Sequence, residues 1–121
     1  MKTLLLVEDD PHILGTVSEI LSTSGYRVLA HDNGRDGLTA ALGEKPDLIL
    51  CDVMMPGLSG FEVLQALREN PETRTIPFVF VSAKVTPTDI ETGLRMGASD
   101  YLTKPFTMRQ LLSTVELMLK P

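Results

Sequence analysis

The chain has 121 residues, 43% of them hydrophobic and 22% charged, which suits one folded domain rather than a disordered tail. Its net charge of −5 and sequence pI of about 4.9 make it poorly suited to hold nucleic acid by itself. Leu4–Val7 is too short for a signal-peptide core, no apolar run approaches the roughly 20 residues that cross a bilayer, and the lone Cys51 allows no internal disulfide. One cytoplasmic domain over residues 1–121 is the expectation.

Five short strand patterns alternate with five helical patterns. Thr3–Val7 opens the chain as a strand. Asp10 then stands as an N-cap with Pro11 at the first helical position. Ile13, Leu14, Val17, Ile20 and Leu21 fall on one stripe of the helix that follows, and Gly25 closes it. Arg27–Ala30 is the second strand. Leu38, Ala41 and Leu42 mark a second helix ending near Gly43.

Asp47–Cys51 is the third strand, and Ser59 with Glu62 has capping-box spacing for a third helix carrying Leu64 and Leu67. Phe78–Val81 is the fourth strand. Thr86-Pro87 opens a fourth helix with Ile90 and Leu94, ending near Gly97. Asp100–Leu102 is a short fifth strand. Thr107 with Gln110 repeats the capping-box spacing before a helix lined by Leu111, Leu112, Val115, Met118 and Leu119.

The first, third and fourth strands are unbroken apolar runs, the mark of strands covered on both faces. Five βα units with right-handed crossovers predict an α/β doubly wound parallel sheet. In such a sheet, ligands bind beyond the carboxyl ends of the strands. The first strand runs into Glu8-Asp9-Asp10, the second into His31-Asp32, the third into Asp52 and the fourth into Ser82. Lys104-Pro105 follows the fifth.

Glu8, Asp9 and Asp52 on one rim would repel one another, and a hard divalent cation relieves that repulsion. Carboxylate oxygens suit Mg2+. Lys104 offers a compact positive charge and Ser82 a hydroxyl donor for phosphoryl oxygens. Taken singly, these residues have plainer readings: a turn cap for Asp52, a solvated loop for Glu8 and Asp9, a turn for Ser82, a surface lysine for Lys104. Cys51 reads as strand core, and His12 and His31 as exposed polar residues.

The acidic run at Glu8-Asp9, the Asp52–Gly57 turn with Gly60 beyond it, Val81-Ser82-Ala83 and Tyr101–Phe106 together resemble the response-regulator receiver family, over Leu4 to Leu119. The resemblance implies a flavodoxin-like sheet with strand order 2-1-3-4-5. It implies that Asp52 accepts a phosphoryl group from a phosphohistidine on a sensor histidine kinase or histidine phosphotransfer protein. Asp9, Asp52 and the Met54 carbonyl would ligate Mg2+, with Glu8 holding a water on the metal. Ser82 and Lys104 would bind phosphoryl oxygens, and Tyr101 would couple to Ser82 in switching. The Lys104–Pro105 bond should be cis.

Met54 and Lys84 fall where the family tunes dephosphorylation. The resemblance makes the chain no conventional turnover enzyme, though it catalyses its own phosphorylation and slow autodephosphorylation. The face of the fourth helix, fifth strand and fifth helix would control an effector or form a homodimer.

Three other readings compete. An aspartyl-nucleophile hydrolase of the haloacid-dehalogenase type needs a second Asp two residues after the first, where this chain has Met54. A flavin carrier needs a phosphate-cradling loop after the first strand, where this chain has carboxylates. A receiver-like interaction module that is never phosphorylated is opposed by the intact Asp9, Asp52, Ser82 and Lys104.

Overall fold

Ten elements alternate along the chain in the computed structural model, which describes residues 1–83 and 86–121. They are β1 (Thr3–Val7), α1 (Pro11–Thr23), β2 (Arg27–His31), α2 (Gly34–Glu44), β3 (Leu48–Asp52), α3 (Gly60–Glu69), β4 (Phe78–Ser82), α4 (Pro87–Arg95), β5 (Asp100–Thr103) and α5 (Met108–Leu119). The strands form one sheet in the order β2-β1-β3-β4-β5, and every pairing is parallel. This is the doubly wound parallel sheet that the alternating pattern predicted, in the flavodoxin-like order that the resemblance implied.

The apolar runs explain the order. β3 and β4 are buried along their whole length and β1 from its second residue, so these three occupy the middle of the sheet. The sheet separates two cores. One packs Leu5, Ile49, Phe78 and Phe80 against Val63, Leu64 and Leu67 of α3 and Ala41 of α2. The other packs Leu4, Leu6, Leu50 and Val79 against Val17 and Leu21 of α1 and Leu111 and Val115 of α5. Burying each such Leu, Phe or Val contributes about 1.5–3 kcal/mol.

The helix starts follow local chemistry. The Asp10 carboxylate accepts from the His12 and Ile13 amides. Ser59 and Thr107 complete the capping boxes expected of α3 and α5, and Thr86 with Asp89 adds one at α4. Several boundaries differ from the sequence reading. β2, β3, β4 and β5 each extend one residue further, so Asp52 and Ser82 end their strands rather than follow them. Asp47 lies outside β3, and its carboxylate accepts from the Thr3 amide at 2.8 Å. α2 continues through Gly43 to Glu44 and closes on Lys45, whose left-handed backbone (φ 47°) takes the place expected of a glycine.

Gly60 shows how tightly β3 and α3 meet. A Cβ there would lie 2.2 Å from the Asp52 carbonyl oxygen, which is fixed backbone. Gly60→Ala should therefore cost about 1–3 kcal/mol in urea unfolding. Gly15 lies inside α1, where an added Cβ would meet nothing within 4 Å, and Gly15→Ala should gain about 0.5–1 kcal/mol. Equal effects at the two sites would contradict this packing.

Candidate functional site

The parallel sheet brings the carboxyl ends of β1, β3, β4 and β5 to one rim. Four residues projecting from it are buried or largely buried. Glu8 is 2% exposed, Ser82 2% and Asp52 7%, while the Lys104 side chain is 14% exposed. Asp9 is exposed beside them. Ligand oxygens of Glu8, Asp9 and Asp52 all lie within 4.8 Å of one another. The Lys104 ammonium forms an ion pair with Glu8 Oε1 and lies 3.3 Å from Asp52 Oδ2. The Asp10 amide donates to Glu8 Oε2 at 3.1 Å. Cis Lys104–Pro105 stands as the resemblance predicted.

The charges are unequal in number: three carboxylates cluster together, and one ammonium pairs with two of them. Burial pushes the Glu8 carboxyl up to about 7, against the lowering effect of its bond from Lys104. Burial alone would lower Lys104. The Glu8 hydrogen bond and the charges of Asp52 and Glu8 outweigh it and hold the ammonium proton above the usual lysine range. Burial also pushes the neighbouring Cys51 thiol up, with help from Asp52 and Glu8, so it is an inert core group rather than a nucleophile.

A pocket of about 300 Å³ opens over these groups, lined by Asp52, Met54, Ser82, Ala83 and Lys104. It has room for a tetrahedral anion with its ligands. The donor set is all hard oxygen with excess negative charge, which fits Mg2+ and not a soft metal.

A family model for the response regulator receiver domain matches residues 4–116. The chain belongs to that family. Among curated relatives of this receiver, protein PilH of Pseudomonas aeruginosa is 41% identical over 119 residues, covering 98% of each chain. The phosphate regulon transcriptional regulatory protein PhoB of the same organism is 36% identical over 98% of this chain, but the match spans only 52% of PhoB. Among solved structures, the chemotaxis protein CheY4 of Vibrio cholerae matches with a TM-score of 0.94 at 33% identity, covering 98% of this chain and 99% of that one. The receiver domain of sensor histidine kinase PA1611 from Pseudomonas aeruginosa matches with a TM-score of 0.90 at 30% identity, over 98% and 97%. That structure has a magnesium ion coordinated in its active site cleft.

The receiver fold thus gathers Glu8, Asp9, Asp52, Ser82 and Lys104 as the sequence suggested. The Met54 side chain is 70% exposed at the pocket mouth. Tyr101 sits farther out: its ring centroid is 5.0 Å from that of Phe80, and its hydroxyl donates to the Asp89 carbonyl at 2.7 Å. Lys84 lies outside the described residues. His12 lines an adjacent apolar groove, whereas His31 ends β2. Among the described residues no helix is long and apolar enough to cross a membrane.

Two supporting residues escaped the sequence reading. Gly93 lies under the Tyr101 ring, and a Cβ there would meet Tyr101 Cε2 at 2.9 Å. A glycine inside a helical pattern was the available signal. Arg68 reaches the Gly97 carbonyl across the fold, and nothing local in the sequence marks it.

Glu8 makes stability depend on pH. Its carboxyl lies near 7 in the fold against an ordinary 4.5, so the native state binds this proton more tightly than the unfolded chain. That contribution is complete below about 4.5 and is lost as pH rises through about 7. In chelator, wild type should lose stability relative to Glu8→Gln in urea unfolding as pH rises from about 5 to about 8. A difference that stays flat, or that rises, contradicts the burial of this carboxyl.

Proposed function

We propose that this receiver takes a phosphoryl group onto Asp52 from a phosphohistidine of a sensor histidine kinase or histidine phosphotransfer protein, and that the modification switches the α4-β5-α5 face. The observation that carries the reading is the shared position of Asp52 and Lys104: a carboxylate and an ammonium 3.3 Å apart at the floor of one pocket.

Phosphoryl transfer needs alignment and neutralised oxygens more than covalent assistance. An Asp52 carboxylate oxygen bonds to phosphorus as the P–N bond to the donor imidazole breaks, and the electron pair leaves with the imidazole nitrogen. Lys104 then faces the new phosphoryl oxygens, and the Ser82 hydroxyl donates to one of them. Asp9, Asp52 and the Met54 carbonyl are suited to hold Mg2+, with Glu8 holding its water; when bound, the ion neutralises phosphoryl charge. Attack of water on phosphorus releases inorganic phosphate and restores the carboxylate. The chain is thus a switch that catalyses its own modification rather than a turnover enzyme.

The output follows from what joins the pocket to α4. Ser82 ends β4, and Phe80 of the same strand contacts the Tyr101 ring. Movement of Ser82 toward a phosphoryl group frees space for Tyr101 to turn inward and give up its bond to Asp89. The face made by α4, β5 and α5 then shifts population between two conformers. An effector, or a second copy of the chain, reads that face. Residues 1–121 act as one receiver domain, and the length of relatives such as PhoB leaves room for an effector beyond it.

Acetyl phosphate with Mg2+ should add one phosphoryl group to the wild-type chain by intact-mass measurement. Asp52→Asn should gain none, chelator should abolish labelling, and Lys104→Ala should slow it by about 10²–10³-fold. No gain in the wild type would favour a receiver-like interaction module that is not phosphorylated. A gain retained in Asp52→Asn would move the acceptor elsewhere.

A further inference from the structure

α4 differs from the other helices in how it is held. α1 buries Val17 and Leu21, α3 buries Val63, Leu64 and Leu67, and α5 buries Leu111 and Val115. The buried residue of α4 is Gly93, which has no side chain to pack, and Leu94 is 47% exposed. A nine-residue helix is too short to persist on its own propensity. Its position therefore depends on specific contacts at its ends.

The C-terminal end is gripped from α3. Arg68, in the last turn of α3, sends Nε and Nη2 to the Gly97 carbonyl at 3.1 and 2.9 Å. Its Nη1 points at the Thr73 carbonyl at 3.4 Å. Thr73 is fully buried, and its hydroxyl donates to the Leu67 carbonyl at 2.8 Å, so that side of the grip is rigid. Gly97 follows the end of α4 with φ 107°, and a Cβ on it would stand 3.0 Å from Arg68 Nε. Among the described residues no carboxylate pairs with Arg68. Its charge is directed at carbonyls near the negative ends of two helices, and its planar fork fixes their relative position.

The N-terminal half is held differently. The Tyr101 hydroxyl donates to the Asp89 carbonyl in the first turn of α4, and the ring lies over Gly93. That contact hangs on one rotatable side chain of β5. We infer that Arg68 is a positioning residue, the pivot of α4: it keeps the C-terminal end fixed to α3 while the Tyr101 end releases and re-engages. Motion of α4 is then a swing about Gly97 rather than detachment of the whole helix. The surface around Pro87–Glu91 moves most, and Ala98–Ser99 stays with the sheet.

Amide hydrogen exchange followed residue by residue on the unphosphorylated full chain tests this, independently of whether Asp52 accepts a phosphoryl group. Arg68→Gln should speed exchange at Met96–Ser99 by about tenfold or more, as expected for losing a charge-assisted bond, with Leu5, Ile49 and Leu50 within about twofold of wild type. Arg68→Lys, which keeps the charge but not the fork, should give a smaller change at the same amides. Tyr101→Phe should speed exchange at Ile90–Gly93 and leave Met96–Ser99 within about twofold. Three results would overturn the pivot: unchanged exchange at Met96–Ser99 in both Arg68 variants, faster exchange spread over β1 and β3 as well, or loosening of both ends by Tyr101→Phe.

Discussion

Lys104 placed between Glu8 and Asp52 is the interaction on which the site depends. Two carboxylates from separate strands are largely withdrawn from water, and a third, Asp9, stands beside them. Such a group is costly to assemble unless positive charge accompanies it. One ammonium, coming from the loop after β5, reaches both buried carboxylates. It leaves the cluster short of positive charge, a donor set of the kind that suits a hard divalent cation. Acidic and basic groups here are therefore parts of one electrostatic unit.

The sheet makes that unit possible. Because all strands run parallel, their carboxyl ends share a rim, and β1 lies beside β3 in space although α1, β2 and α2 separate them in sequence. Below the rim, β3 and β4 are apolar throughout, so the strand ends cannot slide without exposing Leu50 or Phe80. Beside it, Phe61, Phe78, Phe80 and Tyr101 form a chain of ring contacts with centroids 5.0–5.1 Å apart. This chain runs from α3 through β4 to β5 and, through Tyr101, to α4. The strand that ends in Ser82 is thus packed, through Phe80 and Tyr101, against the helix that is least held by its own burial.

Much of this was legible in the sequence because it rests on local pattern. Unbroken apolar runs marked β1, β3 and β4 as covered on both faces, and Asp10, Ser59, Thr86 and Thr107 marked helix starts through bonds made within one turn. The acidic pair after β1, Asp52 and Lys104 were legible once each was placed at a strand end. What the sequence did not show depends on partners far along the chain. Strand ends were off by a residue because Asp52 and Ser82 are polar yet keep the ladder. α2 ran past Gly43 because Lys45 tolerates a left-handed turn. Arg68 and Gly97 are 29 positions apart, and only the folded chain reveals that one grips the other. The need for glycine at position 60 comes from the Asp52 carbonyl, which local pattern does not report.

The most direct measurement is a calorimetric Mg2+ titration of the wild-type chain and of Asp9→Asn at neutral pH. Asp9 is exposed, so the variant keeps the fold while removing one of the three clustered carboxylates. Loss of groups that merely support a metal ligand costs about 10–100-fold in affinity, so loss of a ligand should cost at least as much. The wild type should show one Mg2+ site, weakened by about tenfold or more in Asp9→Asn. A wild-type chain that binds no Mg2+, or a variant that binds it equally well, would contradict this.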